Sequence, residues 1–285
     1  MLSLSKLCLV MLVASGALTF WYRFPDLEYF HVNSNQKPNI IFLNGPDEWA
    51  KVWTYVSEEW RVLDFANTYA LSLPNSGHSF SLDKYTLNNL AAVVVDFINR
   101  HDLCNVVLAG SFVGAKVAMQ VAALYPGAIE GILVLNAFPF AFADDFVAAE
   151  KQAYSGLASI NYKRSVAAIR PDLVSALGSN GWANDIIERL QGSDGNYFLP
   201  FDLAPFIQNI KNVTGANASK KFKGAVKFLL SEGSGTTPKS LVPQLKAYYP
   251  YIDLVKDVVY VNQPGWIWKS NIDLIVSTLR DLTCH

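Results

Sequence analysis

Val106–Pro126 reads VVLAGSFVGAKVAMQVAALYP, and the fold follows from this stretch. Asn105–Ala109 (NVVLA) is a short apolar run with β-branched residues, as expected of a strand buried on both faces. Gly110 and Gly114 bracket a tight turn, and Lys116–Leu124 is an Ala- and Val-rich helix closed by Tyr125-Pro126. A buried strand that passes through a Gly-flanked turn into a helix is the first half of a βαβ unit in a parallel sheet.

The same rhythm continues on both sides. Upstream, Asn39–Leu43 (NIIFL) and Arg61–Phe65 (RVLDF) read as strands. Asp47–Trp60 and Asp83–Arg100 read as helices, the second with Leu87, Leu90, Val94, Phe97 and Ile98 on one face. Downstream, Gly131–Leu135 (GILVL) is the next strand. Residues 141–222 break the alternation with helical, Gly- and Asn-punctuated sequence. Strands resume at Val226–Leu230 and Val258–Val261, and an amphipathic helix closes the chain at Asn271–Leu282. The expectation is an α/β domain over residues 31–285: a mostly parallel central sheet, helices on both faces and a helical insertion at 141–222.

The strand–turn–helix at Val106–Pro126 resembles the nucleophile elbow of the α/β-hydrolase superfamily, strand–G-x-S-x-G–helix. Gly110, Ser111 and Gly114 match the elbow, and Phe112 stands where the nucleophile belongs. Phe42–Pro46 (FLNGP) resembles the turn that carries one oxyanion donor, with Asn44 in place of the usual histidine and Gly45 kept. Trp60–Asn67 resembles the next strand and its D-x-x-G turn, with Asp64 kept and Asn67 at the glycine. Glu130–Pro139 resembles the strand after the elbow helix, and residues 141–222 fall where the family carries its cap. The likeness covers roughly residues 39–140 and 224–283. It implies an acid after Val226–Leu230, where Ser234 stands, and a histidine after Val258–Val261, where Trp266 stands. Neither phenylalanine nor tryptophan can act as nucleophile or base. The triad mechanism needs a nucleophile, a base touching it and an acid orienting that base, so the resemblance implies a catalytically degenerate member, by analogy with the non-enzymatic N-myc downstream-regulated family. Phe112 and Trp266 are then expected to pack together and fill the site.

Other groups are weighed beside these. Ser111 is a hydroxyl next to the elbow apex, though adjacent side chains diverge there. His78 lies in a Ser-Gly-His-Ser loop; His31, His101 and His285 lie before the first strand, at a helix end and at the terminus. Glu232 is the carboxylate nearest the acid turn. Asp144 and Asp145 could supply a displaced acid, or simply a polar cap entrance.

Residues 7–22 (LCLVMLVASGALTFWY) are uncharged and apolar between Lys6 and Arg23. Segment 1–24 is read as a transmembrane anchor or as a cleaved signal. As an anchor it places the domain on the trans side of a membrane, mitochondrial inner or secretory; as a signal it implies secretion. Asn212-Val-Thr and Asn217-Ala-Ser are glycosylation sequons, relevant only in the secretory lumen. A net charge of −1 gives no attraction for polyanions, which argues against nucleic acid. Cys8, Cys104 and Cys284 form no metal or disulfide spacing, and no cofactor motif is present. The leading functional expectation is an inactive structural or interaction subunit at a membrane, with the anchor and protein partners in a complex. The alternatives are a cap-pocket module for a small apolar ligand, and an atypical serine hydrolase using Ser111 with His78.

Overall fold

The computed structural model describes residues 26–193, 195–218, 221–232, 236–262 and 267–283. In chain order the elements are β1 (Tyr29–Val32), β2 (Asn39–Leu43), α1 (Thr54–Ser57), α2 (Trp60–Leu63), β3 (Asn67–Leu71), α3 (Leu87–Arg100), β4 (Val106–Ser111), α4 (Val113–Leu124) and β5 (Gly131–Leu135). The insertion follows as α5 (Asp144–Ser159), α6 (Val166–Leu177), α7 (Asn180–Arg189), the hairpin β6 (Gln191–Ser193) and β7 (Asn196–Phe198), and α8 (Leu203–Thr214). The chain then returns to the sheet through β8 (Ala225–Ser231), β9 (Val258–Val261), α9 (Ile267–Ser270) and α10 (Ile272–Thr283).

The main sheet runs β1-β3-β2-β4-β5-β8-β9. Every pair in it is parallel except the β1–β3 edge. Alternate residues of each strand feed two cores. Ile41, Leu108, Ile132 and Phe228 join α3, α4 and the cap on one face. Ile40, Phe42, Val107, Leu133 and Leu229 meet Trp53, Ile275 and Leu279 on the other. The strands are buried on both faces, which is why they read as unbroken apolar runs. Thr86 caps α3 by accepting from Asn89 N. The central helix α4 is buried along nearly its whole length because sheet and cap both cover it.

Two expectations are corrected. RVLDF is not a strand: Trp60–Leu63 forms α2, and the strand is Asn67–Leu71, with Asn67 opposite Asn39. The likeness of Asp64 and Asn67 to a D-x-x-G turn falls with it, since Asn67 opens β3. A single buried position, Val62, with partly exposed Arg61 and Leu63 on either side, suits a short surface helix, whereas Thr68 to Leu71 are all buried. The antiparallel edge strand β1 and the cap hairpin β6–β7 were also not anticipated; they are too short to show a period. The anchor or signal segment, residues 1–24, lies outside the described residues. Among those described, no helix is long and apolar enough to cross a membrane.

Candidate active site

The carboxyl ends of the parallel strands converge under the cap, and the elbow stands at their centre. Phe112 has φ 49° and ψ −108°, between β4 and α4. A Cβ on Gly110 would lie 2.4 Å from the Gly114 carbonyl carbon, and one on Gly114 would lie 2.2 Å from Leu43 O. Only glycine permits either approach. The elbow is therefore pressed directly against the exit of β2, which leads into Asn44 and Gly45.

The Phe112 ring packs on two cap rings, Phe142 at 5.2 Å and Phe146 at 6.1 Å between centroids. Trp266, the expected partner, lies outside the described residues, as does Ser234. Beneath these rings Lys116 is fully buried. Its Nζ donates to Phe138 O at 3.0 Å and Phe140 O at 2.8 Å and lies 5.3 Å from the centre of the Phe142 ring. Burial draws the Lys116 ammonium down to about 7.

Asn44 works as a strut. Its Nδ2 donates to Gly45 O, Glu48 O and Ser76 Oγ (2.6, 2.8 and 3.0 Å), and its Oδ1 accepts from Leu73 N. The side chain in the histidine's place thus ties the turn after β2 to the loop after β3. Gly45 N donates to Glu48 Oε2 at 2.7 Å, and Glu48 is fully buried. Arg189, at the end of α7, donates to Asp47 O at 2.8 Å and Asp47 Oδ2 at 3.2 Å. Glu150 on α5 is pushed up to about 7 by burial and by the Asp47 charge, against a hydrogen bond from Tyr154. Tyr154 is itself raised by burial and by the same carboxylates. No element of this buried acid–arginine cluster was anticipated, because it joins residues far apart in sequence.

Ser111 is buried at the end of β4, opposite Leu135. Strand alternation sets it with Val107 and Ala109, on the face away from the cap. In the loop after β3, His78 Nε2 lies 3.9 Å from Glu28 Oε1. Glu28 Oε2 accepts from Ser72 Oγ at 2.6 Å and His78 N at 3.1 Å. His31 stacks on Tyr69 and His101 packs on Phe97, at the β1–α3 side of the molecule. His285 lies outside the described residues. Asp144 and Asp145 are exposed in the first turn of α5, where Asp145 accepts from Phe146 N; they serve the cap helix. Glu232 is exposed and pairs with Lys239 at 2.7 Å. Asn136, with φ 52°, pins both ends of the acid turn by accepting from Ser231 N and Thr236 Oγ1. Of the sequons, Asn212 is exposed, whereas Asn217 is buried and its Nδ2 donates to Lys116 O and Gln120 Oε1, leaving no room for a glycan in the folded chain. Among the described residues no His, Cys, Asp and Glu cluster could hold a metal ion.

A marine microorganism esterase superposes on this architecture with a TM-score of 0.77, over 90% of this chain and 99% of that one, at 19% identity. The fold is that of the α/β-hydrolases. No protein-family model matches the chain. In sequence, a Haemophilus influenzae protein named "Putative esterase/lipase" is 28% identical over 127 residues, 43% of this chain and 41% of that protein. A Wickerhamomyces anomalus "Probable alcohol acetyltransferase" is 28% identical over 111 residues, 38% of this chain and 32% of that protein. The matched segment thus spans less than half the length of either relative.

These likenesses overturn the expectation of a non-enzymatic subunit on an α/β-hydrolase fold, since the relatives are named for ester chemistry. The physical reason for the error is plain. Phe112, Ser234 and Trp266 are three places in one catalytic arrangement. Their side chains say nothing of hydroxyl, imidazole and carboxyl groups elsewhere in the chain.

Proposed function

We propose that this chain is an ester hydrolase of atypical serine type, with its nucleophile away from the elbow apex. The elbow backbone carries the reading. A non-glycine residue at φ 49° and ψ −108° costs on the order of 1–3 kcal/mol. The strain has a use where the elbow aims β4 and α4 at a reacting group.

Two hydroxyls are candidates for the nucleophile: Ser111, beside the apex but on the sheet face away from the cap, and Ser76, whose Oγ accepts from Asn44 Nδ2 at 3.0 Å. The serine Oγ attacks the acyl carbonyl carbon while its proton passes to a base, for which His78 beside Glu28 is the candidate. The alcohol leaves with that proton, and water then cleaves the acyl-serine ester, returning the serine hydroxyl. Glu28, held by Ser72 Oγ, lies 3.9 Å from His78 Nε2, which puts a carboxylate beside the candidate base. Ester chemistry in the named relatives supports the substrate class.

The test is labelling of the full chain with a fluorophosphonate probe, followed by peptide mapping, alongside turnover of p-nitrophenyl butyrate. The adduct is expected on Ser76 or Ser111, and alanine at the labelled serine should abolish both labelling and turnover; the position labelled decides on which side of the elbow the nucleophile lies. No adduct and no turnover would end the reading.

A further inference from the structure

The turn leaving β2 carries a contact that the proposed chemistry does not use. In the hydrolases that this turn resembles, its backbone N–H groups meet the substrate's acyl oxygen as negative charge develops on it. Pro46 has no N–H to offer, and Gly45 N–H already donates to Glu48 Oε2 at 2.7 Å. A carboxyl group in that place occupies the donor.

The surroundings hold it there. Asn44 Nδ2 donates to Gly45 O and Glu48 O, closing the turn on itself. Arg189 donates to Asp47 O and Asp47 Oδ2 beside it. The elbow blocks movement from the other side, since Gly114 packs against Leu43 O and Asn44 O. Glu48 is fully buried, so its place at the Gly45 amide is fixed by packing and not by a chance surface rotamer.

We infer that Glu48 is an internal occupant of the oxyanion position, so that the folded protein keeps its ester-cleaving site closed until that side chain leaves the Gly45 amide. This rests on the hydrolase reading above. A purely structural Glu48 would only satisfy a buried N–H, and its removal would lower stability without raising any rate.

The experiment compares the full-length wild type, Glu48→Ala and Glu48→Gln. It measures the second-order rate of fluorophosphonate labelling and kcat and KM for p-nitrophenyl butyrate, with circular dichroism and Tm as the fold check. Glu48→Ala is expected to raise the labelling rate and kcat by about tenfold or more, because a hydrogen bond no longer competes with the transition state, while KM changes little. Glu48→Gln keeps an acceptor at the amide, so it should give a smaller rise. It also decides the matter if the alanine variant does not fold. Rates at or below wild type in the folded variants, with the wild type still labelled, overturn the inference and leave the hydrolase reading standing. No labelling and no turnover in any of the three overturn both.

Discussion

Lys116 shows what a single side chain does at the centre of this fold. It sits one helical turn after Phe112, and Lys116 N donates to Phe112 O. Its ammonium holds the carbonyls of Phe138 and Phe140, on the strap that carries the chain from β5 into the cap. Burial lowers its folded pKa to about 7, from an ordinary value of 10.5. Between these values the unfolded chain binds a proton that the folded chain does not, so stability rises with pH across that window and is flat in this term below it. Urea midpoints from pH 6.5 to 9.5 should show the wild type gaining up to ~1.4 kcal/mol per pH unit from this group. Lys116→Met should remove that gain. A variant with the same slope as the wild type would place the titration elsewhere. A lysine between Ala115 and Val117 in an otherwise uncharged helix is a sequence signal of buried charge, but its partners are not, because the strap carbonyls belong to a segment with no periodic pattern.

Elements were legible where their burial was uniform. β5 and β9 begin and end where the apolar runs do, β8 extends its run by one residue at each end, and β4 begins one residue later and ends two later than Asn105–Ala109. RVLDF failed because a five-residue run with alternating exposure does not separate a surface helix from a strand. Contacts between elements were not legible at all. The Arg189–Asp47 pair joins the last turn of α7 to the turn after β2, and both side chains are almost fully buried. Arg189→Met should leave the Asp47 carboxylate buried without its partner and cost about 3 kcal/mol in urea denaturation. Adding Asp47→Asn should recover part of that loss. A loss below about 1 kcal/mol would mean that the cap is held to the turn by packing alone.

At the scale of the whole molecule, the cap, the elbow and the turn after β2 form one unit, and the remaining question is where the chain is held. Residues 7–22 are apolar and uncharged and lead into the described domain at Asp26. If they anchor it, the full chain should stay with membranes through alkaline carbonate extraction and keep Met1, whereas a chain started at Asp26 should be released. N-terminal sequencing that finds a start near Thr19 would show a cleaved signal instead.

The sequence by itself determined the strand–elbow–helix frame, the parallel sheet and the place of the cap. These depend on apolar period and on two glycines, which act within a few residues of one another. It also located Phe112 at the elbow apex. Only the tertiary structure decided that the Phe112 ring meets Phe142 and Phe146 of the cap, that Asn44 braces the neighbouring loop, and that Glu48 holds the Gly45 amide under a cap carrying Glu150 and Arg189. Packing sets which side chains meet across the sheet's edge, and burial sets which of them keep their charge; both arise from residues that the chain alone leaves far apart.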